Sequence, residues 1–74
     1  MKPPVIRAQK VVQALKKAGF YKDHQRGSHL VLRHQEKNRS VVVPIHSGTV
    51  PRGTLRAIIH HAEMTVEEFC SYLK

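Results

Sequence analysis

Six histidines stand in a chain of 74 residues: His24, His29, His34, His46, His60 and His61. Imidazole does two kinds of chemistry. It binds transition metals, and it moves protons, because it titrates at about pH 6.5. The spacings argue against the first. There is no CxxC pair and no HExxH motif, and Cys70 is the sole cysteine. His29 and His34 differ by an odd number, so on one strand they point to opposite faces. His60 and His61 would lie about 100° apart around a helix and cannot chelate together without distortion. No metal site and no cofactor is expected. The five acids form no pair suited to glycosidase or two-metal work, and the four glycines are too scattered for a phosphate-binding loop.

His29 is the residue best placed for proton transfer. It follows Gly27-Ser28 at the start of a strand, on the face opposite Leu30 and Leu32. Arg33 shares that face about 13–14 Å along the strand, and Arg26 is close in sequence. Imidazole beside fixed cations suits phosphodiester chemistry. Metal-free RNA cleavage needs a base to take the 2′-hydroxyl proton and an acid to protonate the leaving 5′-oxygen. It also needs positive charge to stabilise the pentacoordinate phosphate. The residues alone leave open whether His29 does this or is a surface polar residue at a turn. His46 divides the same way, between the end of the sheet and a plain loop position. His24 and His34 read as surface strand residues, and His60 and His61 as solvated helix positions.

The charge is distributed unevenly. Lys and Arg number 13 against five acids, a formal net charge of +8 and a pI near 10.3. Residues 1–39 carry ten bases and two acids, whereas residues 40–74 carry three of each. The whole excess lies in the first half, which suits a polyanionic partner. An apolar fraction of 41% supports a core and argues against disorder. Seventy-four residues are expected to form one domain, residues 1–74, without room for a Rossmann fold or a two-lobed cleft. MKPPVIRAQK has no apolar stretch of the signal-peptide kind, and no run approaches the roughly 18 residues of a membrane span. With one cysteine, a cytoplasmic location is expected.

The elements that must position these groups follow from periodicity. Ala8, Val11, Val12, Leu15 and Ala18 recur at helical spacing over 7–18, and Gly19 follows as terminator. Pro3 and Pro4 keep the preceding segment extended. Three strands follow, at Phe20–Gln25, His29–His34 and Arg39–Val43, with Pro44 ending the ladder. Asn38, in the second turn, tolerates a left-handed backbone. Leu55, Ile58, Ile59 and Ala62 mark a helix over 52–62, begun by Pro51 or Gly53. Thr65-Val66-Glu67-Glu68 is a capping box for a last short helix, with Met64 and Phe69 as its staple. The fold class is α+β, in the order α-β-β-β-α. A three-stranded antiparallel sheet would have its helices on one face and leave the other open.

Several fragments in order resemble the HicA toxins (the YcfA-like family) of toxin–antitoxin systems. They are Leu15-Lys16-Lys17-Ala18-Gly19-Phe20, Gly27-Ser28-His29, Val43-Pro44-Ile45-His46-Ser47-Gly48, Gly53-Thr54-Leu55-Arg56-Ala57-Ile58 and Met64-Thr65-Val66-Glu67-Glu68-Phe69. The resemblance implies a fold like that of double-stranded-RNA-binding domains. It implies an mRNA interferase that cuts RNA and halts translation, with His29, the histidine of the Gly-Ser-His motif, as catalytic residue. It also implies a HicB antitoxin as partner, covering that site. On this reading Lys22, Arg26, Ser28 and Arg33 hold the RNA, and His29 acts as base or acid without a metal. His46 or water would supply the second proton transfer. Two rivals are a non-catalytic RNA-binding module of the same fold, and an interaction protein whose basic patch meets only an acidic partner.

Overall fold

A computed structural model describes residues 6–45 and 48–73. The chain begins with a two-residue strand, β1 (Ile6–Arg7), and enters helix α1 (Ala8–Lys17). Ala8, Val11, Val12, Ala14 and Leu15 are buried, which is the face the periodicity predicts. Lys16 and Lys17 lie in the last turn, where the helix dipole favours cations. Three strands follow: β2 (Phe20–Arg26), β3 (His29–His34) and β4 (Ser40–Pro44). They form one antiparallel sheet in the order β2-β3-β4. A second short strand, β5 (Thr49–Val50), pairs with β1 and leads into α2 (Arg52–His61) and α3 (Val66–Ser71).

One face of the sheet is covered and the other is open. Phe20, Leu30, Leu32, Val41 and Val43 are buried against Val11, Leu15, Leu55, Ile58, Ile59 and Phe69 from the helices. Tyr21 and Val42, on the opposite side, are exposed. The expected α+β architecture therefore holds: a helix, a three-stranded antiparallel sheet, then helices, as in the double-stranded-RNA-binding-domain-like fold.

Two details depart from expectation. Pro44 does not stop the ladder but is the last residue of β4, paired with His29. It is tolerated because β4 is an edge strand, and an edge residue can do without an amide donor. The stretch between Pro44 and the helix over 52–62, for which periodicity predicts no element, contains β5, whose Val50 is fully buried. Two-residue strands carry no periodicity, so β1 and β5 leave no signal of their own. Pro3 and Pro4 lie outside the described residues.

The helix ends behave as their chemistry dictates. Thr65 and Glu68 make the reciprocal capping box, with the Glu68 amide donating to Thr65 Oγ1 at 3.1 Å and the Thr65 amide to Glu68 Oε1 at 3.0 Å. After α2, Glu63 takes a left-handed φ of 59°. Its amide donates to His60 O and that of Met64 to Ile59 O, a Schellman closure with glutamate where glycine is usual. Asn38 has φ 51°, as its place in the turn suggested.

Candidate active site on the open face of the sheet

The geometry of the open face starts at the first hairpin. Arg26 and His29 pair directly across the two-residue loop Gly27-Ser28. Gly27 has φ 58°, and Ser28 is not among the positive-φ residues, the pattern of a type II′ turn. The Gln25 side-chain amide donates to Gly27 O at 2.9 Å, and the Ile45 amide donates to Ser28 O at 2.8 Å. The turn is thus braced from β2 and from the residue that follows β4.

The two strands of this hairpin differ in length. β2 has seven residues and β3 has six. The surplus is absorbed by a bulge between Lys22 and His24. Strict alternation from Phe20 would turn His24 and Arg26 toward the helices. The extra residue, Asp23, resets the phase and sends both to the open side. The open face then reads as three rows across β2, β3 and β4. The first is Tyr21, Arg33 and Ser40; the second His24, Val31 and Val42; the third Arg26, His29 and Pro44. Rows are about 6.7 Å apart along a strand, and neighbours within a row about 4.8 Å apart.

His29 occupies the middle of its row, exposed, with the Arg26 side chain on one side and Pro44 on the other. Among the described residues its imidazole has no hydrogen-bond or ion-pair partner. Arg33 shares the face two rows away, where its guanidinium reaches Asn38 Oδ1 at 3.5 Å. Ser28 is half-buried in the turn beside His29. Lys22 is not brought to this face. It pairs with Leu32 and points to the helix side. There it lines a groove of about 380 Å³ with Arg7, Gln9, Gln25, Leu30 and Gly48.

The remaining histidines separate clearly. His24 is on the open face, its Nδ1 2.8 Å from Asp23 Oδ2. His60 and His61 are exposed on α2, edge to face with each other at 5.9 Å. His46 lies outside the described residues. Among the described residues no three His, Cys, Asp or Glu side chains are grouped to hold a metal. His34 is the correction: it is an internal tie, not a surface strand residue. Its Nδ1 accepts from the amides of Glu36 and Lys37 at 3.1 Å each, which leaves the proton on Nε2, facing Ala18 O at 3.2 Å. The ring also meets Phe20 edge-on at 5.0 Å. The signal was present in strand parity, which puts His34 on the same side as Leu30 and Leu32.

Comparison with protein families gives one decisive match: residues 8–64 fit the model of the HicA toxin of bacterial toxin–antitoxin systems. The chain belongs to the HicA toxin family. The matched span takes in α1, the whole three-stranded sheet with His29, and α2, and leaves out α3. Membership makes the chain a toxin of a toxin–antitoxin pair. No curated protein is found to match it. Within this HicA domain, residue types alone missed the exposed Tyr21 and Val42, and the place of His24 on the face of His29. The first two follow from the alternation of β2 and β4, but the third depends on the bulge.

Proposed function

We propose that this HicA-family toxin is an endoribonuclease that cleaves messenger RNA and so stops translation, with His29 moving the proton that starts or finishes the reaction. The observation that carries the reading is the position of His29. It is an exposed imidazole with no hydrogen-bond partner among the described residues, on the uncovered face of the sheet and directly across from a guanidinium. Opposed residues in such a pair have Cβ atoms about 4.5–5.5 Å apart. A phosphate held by Arg26 is therefore within reach of the imidazole. Arg33, two rows along the same face, would hold a neighbouring phosphate, and Ser28 would contact the backbone at the turn.

In this reaction the 2′-oxygen attacks the adjacent phosphorus as its proton leaves, and the 5′-oxygen departs as it gains one. The products are a 2′,3′-cyclic phosphate and a 5′-hydroxyl. The partner is taken to be a HicB-type antitoxin that covers the open face, and the site of action the cytoplasm.

The end groups test the chemistry. Incubation of the purified chain with a labelled transcript in excess EDTA is expected to give fragments ending in cyclic phosphate. Retarded but uncut RNA would instead identify a binding module. The placement of the cations gives a second expectation. Arg26→Ala should slow cleavage by about 10²-fold, the scale of losing one well-placed charge donor. Lys22→Ala, on the other side of the sheet, should cost far less. Single-turnover rates on one short RNA check both, and equal losses would remove the special role of Arg26.

A further inference from the structure

Cleavage of this kind requires two proton transfers, and His29 supplies only one. We infer that His24, held by Asp23, is the second proton-transfer residue, acting as the acid that protonates the leaving 5′-oxygen while His29 acts as the base; this rests on the nuclease reading above.

Three observations converge. His24 is a diagonal neighbour of His29: it pairs with Val31, two residues beyond His29 on the same face. Diagonal neighbours of this kind are about 7–8 Å apart, which leaves room for one phosphate between two imidazoles. Second, its Nδ1 is 2.8 Å from Asp23 Oδ2, so the ring is oriented with Nε2 turned away from the carboxylate. Third, the pair stands at a bulge, and the bulge is the reason His24 faces the same way as His29. The His24 side chain is 57% exposed, and an ion pair so exposed adds little to stability.

The neighbouring side chains distinguish the two rings. An imidazolium at His24 has the Asp23 carboxylate against it. An imidazole at His29 has the Arg26 guanidinium opposite. The other groups facing His24 are Tyr21 and Arg26 on its own strand and Arg33 and His29 on β3; β4 presents Ser40, Val42 and Pro44, none of which titrates in the working range.

The step balances. Neutral His29 takes the 2′-hydroxyl proton, and the oxygen's electron pair forms the new P–O2′ bond. The P–O5′ bond breaks with its pair passing to O5′, which receives the proton of the His24 imidazolium. Each imidazole ends in the other's starting state and is reset by exchange with water.

The test is a substrate that needs no acid. A dinucleotide with sulfur in place of the bridging 5′-oxygen expels a thiolate, which leaves without protonation. With ordinary RNA, His24→Ala is expected to lose 10²–10⁴-fold in rate, the range for one general acid. With the 5′-thio substrate the same variant should approach the unaltered protein, and so should Asp23→Asn, which removes only the positioning charge. His29→Ala should be slow on both. The pH–rate profile of His24→Ala on ordinary RNA should lose its falling alkaline limb. A folded His24→Ala chain that cuts ordinary RNA at full rate overturns the inference while leaving His29 in place, as does equal loss on both substrates. Full activity of His29→Ala would instead overturn the nuclease reading beneath it.

Discussion

Replacing His29 by alanine is expected to lower RNA cleavage by 10²–10⁴-fold, the contribution of one positioned acid–base group, and to abolish growth arrest when the toxin is expressed alone. The fold should be untouched. His29 is exposed, has no partner among the described residues, and contributes nothing to the core. A surface substitution of that kind alters stability by no more than about 0.5 kcal/mol. Two measurements on the same sample separate chemistry from folding: a thermal melt and a single-turnover cleavage rate. RNA binding should also survive, because Arg26 and Arg33 remain on the face. Uncut RNA retained by the variant, with retention falling as salt rises, is the expected companion result. A variant that melts normally and cuts RNA at the original rate would remove His29 from the mechanism.

The strands that carry this site were legible because their signals are local. Leu30 and Leu32 alternate with His29, Val31 and Arg33, and the Val41-Val42-Val43 run is β-branched throughout. Period two and a glycine turn are enough to put His29 on the face away from the core. The helices were legible for the same reason, and α3 most of all, since its cap is written in four consecutive residues. What could not be read is the phase of β2. Its polar sequence, Tyr21-Lys22-Asp23-His24-Gln25-Arg26, has no apolar alternation to reveal which side chains face the helices. Two constraints act on it from opposite ends. Phe20 must be buried against α1, and the turn must place Arg26 opposite His29. Seven residues matched to six cannot satisfy both without one extra residue, and that residue is Asp23. The separation of Lys22 from the site and the arrival of His24 beside it are both consequences of this one irregularity. They depend on pairing between strands, a property no single segment contains.

At the other end of the hairpin, where Phe20 pairs with His34, a second glycine holds a left-handed backbone. Gly19→Ala is expected to be among the most damaging substitutions outside the core. Gly19 has φ 109°, a backbone region that costs a side-chain-bearing residue about 1–3 kcal/mol. A Cβ built there would also lie 2.6 Å from His34 Nε2 and 3.2 Å from its Cδ2. The imidazole cannot easily move aside. It is pinned by Ala18 O on one nitrogen, by the amides of Glu36 and Lys37 on the other, and by the Phe20 ring. Displacing it forfeits three hydrogen bonds worth about 1 kcal/mol each in favourable cases, less here because the turn amides can turn to water. The combined loss is about 3 kcal/mol. A chain of this size has on the order of 3–5 kcal/mol to lose. The melting temperature should therefore fall by about 12–24 °C. The double variant with His34→Ala identifies the cause. Once the imidazole is gone, adding the methyl group at position 19 should cost only the backbone strain, a coupling of about 1 kcal/mol or more between two residues fifteen apart in sequence. Strictly additive losses would mean that His34 yields to the methyl group, and that the clamp joining α1, β2 and β3 is looser than its hydrogen bonds imply.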